Sequence, residues 1–160
     1  MSRTTSAPRV TVQRKIDASA DDLFAAWLDP ASLAMWMRPG DITHSTATVD
    51  PKVGGTFEIV MYSPEGSRVH SGTYRVIDRP RRLVFTWISP GTKQTETLVM
   101  VEFRVDGRTT EVVLTHEQLP DDSAVLPHTM GWTRILELLS LQPSWHEPAD
   151  RQPNTKGDRD

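Results

Sequence analysis

Five histidines stand in this chain, at positions 44, 70, 116, 128 and 146, and no cysteine accompanies them. Imidazole is the side chain that gives and takes protons near neutral pH. His116 stands where an inward strand residue is expected, in register with Val112 and Leu114. Tyr74 is the other polar group expected on that inward face. The two form the only pair that can be nominated for acid–base work in the interior. His116 has an equally chemical but structural role open to it, because a buried imidazole needs partners on both ring nitrogens. Neither residue is assigned as catalytic.

Other chemistries lack their residues. Without cysteine there is no disulfide, thiolate nucleophile or thiolate metal site. The histidines show no H-E-x-x-H spacing, so no metal is assigned. Gly54-Gly55 is followed by neither G-K-[ST] nor a helix, which argues against a phosphate loop. No G-x-S-x-G occurs. Glu58, Glu96, Glu102 and Glu111 fall on outward strand positions, and nothing in their spacing pairs them. No cofactor is expected.

The whole chain narrows the class further. Its 160 residues suit one domain with a real core. The formal charge of −3 argues against a nucleic-acid partner, which would call for a basic patch. The cluster Arg79, Arg81, Arg82 reads as a solvated turn. No apolar run is long enough to span a bilayer, so no membrane insertion is expected. The opening residues have no apolar signal-peptide core, and the default expectation is a cytoplasmic monomer or homodimer.

The elements that must position these groups follow from periodicity. Val10, Val12 and Ile16 alternate with polar residues and predict a half-buried strand. Ser19 and Asp22 form a helix-start signature before the stripe Leu23, Phe24, Trp27, Leu28. Asp29-Pro30 stops that helix, and Pro30 starts a second one through Trp36. The period then changes to two. Strands are predicted near 42–49, 55–62, 68–78, 82–89, 96–106 and 109–117, joined by short turns as in an antiparallel meander. Asp106-Gly107 reads as the centre of a type I′ hairpin. Trp132, Ile135, Leu136 and Leu139 recur at i, i+3, i+4 and i+7 in a last helix, with Leu138 and Leu141 widening its face. Gly131 inside that helix costs about 1 kcal/mol against alanine, which a close helix–sheet crossing or a cavity would explain.

A sheet this long must curl, and one helix can cover its concave side. The expected class is therefore α+β: a curved antiparallel sheet wrapped around a long C-terminal helix, with two short helices after the first strand. Residues 1–9 read as a flexible N-terminus, 10–142 as the domain, and 143–160 as a flexible tail with Trp145 left in solvent. The inward face of the sheet is rich in aromatics and methionine. These can simply fill a core, or they can line a small-molecule pocket. Periodicity alone favours the filled core.

The ordered pieces I-D-A-S-A-D-D-L-F-A-A-W (16–27), D-P-A-S-L-A-M-W (29–36), V-G-G-T-F (53–57), G-T-Y-R-V-I-D (72–78), R-L-V-F-T-W (82–87), L-T-H-E (114–117) and M-G-W-T-R-I-L (130–136) carry a resemblance. Over residues 10–142 the chain resembles the START-like SRPBCC superfamily, and within it bacterial relatives of the C-terminal domain of the heat-shock protein 90 ATPase activator. The resemblance implies a helix-grip fold with a deep cavity between sheet and long helix, reversing the preference for a filled core. It implies a cavity lined by Trp36, Phe57, Met61, Tyr74, Phe85, Trp87, Phe103, His116 and Trp132. The expected partner is a small apolar or aromatic ligand, such as a lipid, polyketide or flavonoid-like molecule, held by a carrier or sensor. The alternatives are a cyclase- or hydrolase-like enzyme using the same cavity, and a stress-related module that docks a chaperone.

Overall fold

The computed structural model describes residues 7–146. Of the flexible ends expected at 1–9 and 143–160, residues 1–6 and 147–160 lie outside the described residues. The chain runs β1 (Val10–Ile16), α1 (Ala20–Ala26), α2 (Pro30–Trp36), β2 (His44–Val49), β3 (Thr56–Ser63), β4 (Gly66–Asp78), β5 (Arg82–Trp87), β6 (Thr97–Asp106), β7 (Thr109–Glu117), α3 (Val125–Ser140) and α4 (Pro143–His146). The seven strands form one antiparallel sheet in the order β1-β7-β6-β5-β4-β3-β2. The first two strands are thus the two edges, and α1 and α2 carry the chain from one to the other. This is the helix-grip arrangement, with α3 as the gripped helix.

Local signals set the ends of the short helices. Ser19 Oγ accepts the Asp22 N–H at 3.1 Å, and Asp29 Oδ1 accepts the Ala31 N–H at 3.2 Å, so each helix starts on a side-chain cap. Pro30 occupies the first turn of α2, where its missing N–H costs nothing. Along α3 the residues Trp132, Ile135, Leu136 and Leu139 are buried, as the helical spacing predicts. Leu141 departs from that face: it follows the last helical residue and is 59% exposed. Trp145 departs the other way. The turn of α4 brings it back onto the body, where its Nε1 donates to the Leu139 carbonyl at 2.7 Å and its ring packs against the core.

Two further departures come from the sheet. The register of β4 against β5 slips between Tyr74 and Val76. This bulge reverses the alternation, so Ile77 rather than Val76 joins the core. At the β6–β7 hairpin Asp106 pairs with Thr109, which makes Gly107-Arg108 the two-residue loop. Only Gly107 there has positive φ, at 63°, the pattern of a type II′ rather than a type I′ turn. Of the basic cluster, Arg79 and Arg81 sit in the β4–β5 turn, paired to Asp21 and Asp78, and Arg82 opens β5.

Gly72 fixes how tightly the middle of the sheet closes. A Cβ built there would lie 1.9 Å from the Thr86 carbonyl oxygen and 2.7 Å from the Phe57 ring. Phe57 is the cross-strand neighbour of Gly72 and lays its ring over the missing side chain.

Candidate functional site

Between the sheet and the first half of α3 lies an open cleft of about 610 Å³. Met61 of β3, Arg68 and His70 of β4, and Trp87 of β5 form the sheet wall. The helix wall includes His128, Gly131, Trp132 and Ile135, and the connection 39–42 closes a third side. The volume lies within the range of small-molecule sites. Gly131 belongs to that wall because a side chain there would project toward the 39–42 segment: an added Cβ meets Pro39 at 3.7 Å, and nothing nearer.

Of the nine residues expected to line a cavity, Met61, Trp87 and Trp132 border the cleft. Phe57, Tyr74, Phe85 and Trp87 surround a second void of about 10 Å³, the size of one water. Trp27 shares that void, and its buried Nε1 has no hydrogen-bond partner. Trp36, Phe103 and His116 line neither space. Trp36 stands edge-on to Trp27 at 4.8 Å and donates its Nε1–H to Ser32 Oγ at 2.9 Å. Phe103 stands edge-on to Phe24 at 5.2 Å. Phe24 of α1 and Trp36 of α2 thus fill interior space with aromatic volume, and the 610 Å³ cleft lies at the β3–β5 side of the sheet.

His116 is fully buried and satisfied on both nitrogens. The Trp132 indole N–H donates to Nδ1 at 3.0 Å, and Thr97 Oγ1 lies 2.7 Å from Nε2. Indole only donates, so Nδ1 carries no proton and Nε2–H donates to the threonine hydroxyl. The hydroxyl in turn donates a hydrogen bond to the Trp87 carbonyl at 2.5 Å. Burial, with the neighbouring His128, pushes the His116 pKa down to about 3. Tyr74 makes no hydrogen bond to it, and burial raises the tyrosine pKa, with Asp50 adding to the shift. The nominated pair is therefore not brought together. His116 is a strut between β6, β7 and α3.

Other polar groups face the cleft instead. His70 packs 5.2 Å from the Trp87 ring, and burial pushes its pKa down to about 4. Its Nδ1 is buried without a hydrogen-bond partner; the backbone of Ile59 and Arg68 opposes the effect of burial without reaching bonding geometry. His128 holds its Nδ1 2.8 Å from the Ala124 carbonyl, an acceptor, so Nδ1 carries the proton and Nε2 is left free to accept. The strand period could have found Arg68 and His70, which share a face with Gly72 and Tyr74. His128 stands four residues before Trp132, on the same helix stripe. Among the described residues no group of three or more His, Asp or Glu side chains could hold a metal ion, and no helix is long and apolar enough to cross a membrane.

The family model described as Activator of Hsp90 ATPase homolog 1-like protein matches residues 17–141. No protein with a curated description matches. A structure from Rhodobacter sphaeroides is 24% identical with a TM-score of 0.75, over 89% of this chain and 95% of its own. One from Arthrobacter aurescens is 18% identical with a TM-score of 0.73, over 93% and 92%. An Hsp90 activator from Plasmodium falciparum is 28% identical with a TM-score of 0.55, over 70% and 74%.

Proposed function

Since this chain belongs to the Activator of Hsp90 ATPase homolog 1-like family, whose fold is a scaffold that can enclose a ligand, we propose that it binds a small hydrophobic or aromatic molecule as a cytoplasmic carrier or sensor. The cleft carries this reading. Trp87 and Trp132 stand side by side in its wall, 5.0 Å between ring centroids, with Met61 and Ile135 beside them. The two rings are inclined at 55°, and an aromatic-rich wall with a few polar groups suits a planar or chain-like apolar body.

A two-dimensional amide NMR titration with fatty acids, sterols and flavonoids tests it. One class should shift Met61, Trp87, Gly131 and Trp132 saturably. If no compound moves these signals, the carrier reading fails.

The Plasmodium activator supports a second reading, a module that docks a chaperone. Leu126 and Met130, 67% and 64% exposed beside the cleft, are the apolar side chains such a partner would cover. Stimulation of Hsp90 ATP hydrolysis by the purified chain, lost on Met130→Glu, is its expected signature; no stimulation removes it.

A further inference from the structure

The polar groups of the cleft are not balanced, and we infer that its occupant carries a carboxylate head, held by Arg68 on the β4 wall, with an apolar body against Trp87 and Trp132. This inference rests on the binding role proposed above and names the ligand class.

Two arginines border the cleft. Arg134 is already neutralised by Glu137 at 2.7 Å. Arg68 makes no ion pair or side-chain hydrogen bond among the described residues. It pairs across the sheet with Met61, and His70 pairs with Ile59, so both strand positions share the inward face with apolar partners. The stem of Arg68 can follow that apolar surface while its head stays at the mouth. The guanidinium fork matches a carboxylate in geometry as well as charge. His70, two residues along the same face, is neutral at pH 7 and adds no charge to compete with the guanidinium for the head. Asp41 is the only acidic side chain in the described lining, and it belongs to the 39–42 wall.

The test compares 2-naphthoate with its methyl ester, which shares the ring system and lacks the charge. Binding is read from the Trp87 and Trp132 signals in NMR titrations. The acid should bind about tenfold more tightly than the ester, the worth of a charged hydrogen bond. Arg68→Gln should remove that difference and leave ester binding unchanged, and Arg68→Lys should keep part of it. A merely structural arginine would weaken both compounds together, which overturns the inference. Equal binding of acid and ester to the unmodified protein also overturns it while leaving the cleft reading intact. Tighter binding of 2-naphthylmethylammonium, lost on Asp41→Asn, overturns it in favour of a cationic head. If none of the three compounds moves the tryptophan signals, the cleft reading itself falls and this inference with it.

Discussion

The indole N–H of Trp132 on α3 donates to Nδ1 of His116 on β7, 3.0 Å away, in a fully buried site. One hydrogen bond thereby sets the tautomer of the imidazole and ties the gripped helix to the sheet. The same tryptophan, only 2% exposed, borders the cleft, so the strut and part of the cleft wall are one side chain.

Trp132→Phe keeps a ring but removes the donor, leaving a buried Nδ1 with no partner. A buried unsatisfied nitrogen costs about 1–3 kcal/mol. Urea unfolding should show a loss in that range. A change below about 0.5 kcal/mol, the size of an ordinary surface substitution, would mean that the bond contributes nothing net.

Acid should destabilise the fold through the same residue. The unfolded chain binds a proton on His116 below the ordinary histidine pKa, whereas the native state resists it down to about 3. The unfolded state therefore holds more protons across that window, and stability falls as pH falls through it. His70, pushed down to about 4, acts in the same direction. Each such group contributes about 1.4 kcal/mol per pH unit at most. The urea midpoint should drop steadily from pH 7 to pH 4, and His116→Asn should lessen that slope by about one proton. Identical slopes in the two proteins would contradict this account.

Gly131 separates stability from binding. An alanine Cβ there meets only Pro39, at ordinary contact distance. Gly131→Ala should raise stability by up to about 1 kcal/mol, the helix-interior difference. Gly131→Phe should fill the cleft and abolish ligand-induced shifts while the thermal midpoint stays near that of the unmodified protein. Ligand binding that survives Gly131→Phe would place the ligand elsewhere.

Gly72→Ala should be far more damaging. Its Cβ would collide with the backbone oxygen of Thr86, which cannot rotate away, and with the ring of Phe57. Overpacking at such a point costs about 3 kcal/mol. A thermal melt should show a large drop or an unfolded protein, and an unchanged midpoint would show that β4 and β5 can part without penalty.

Much of this protein was written in residue periodicity. The period of two from His44 to Glu117 and the 3.6-residue stripe of Trp132, Ile135, Leu136 and Leu139 define the sheet and its helix, because each face must leave water. Asp29-Pro30 separates α1 from α2 through backbone sterics alone. These are local causes, so a linear reading reaches them. A bulge is a different matter: nothing in the run Tyr74-Arg75-Val76-Ile77 announces that β4 slips by one residue, and the slip decides which of Val76 and Ile77 is inside. Whether an aromatic fills the core or lines a space was also undecided. Trp36 and Phe103 are aromatic like Trp87 and Trp132, but Trp27 packs on Trp36 and Phe24 on Phe103, whereas Trp87 and Trp132 border the cleft. His116 could be read as catalytic until Trp132 and Thr97 were seen to occupy both its nitrogens. Burial follows from pattern, because it depends on one face of one element. Open volume and hydrogen-bond partnership depend on how distant elements meet, and only the tertiary structure fixes that.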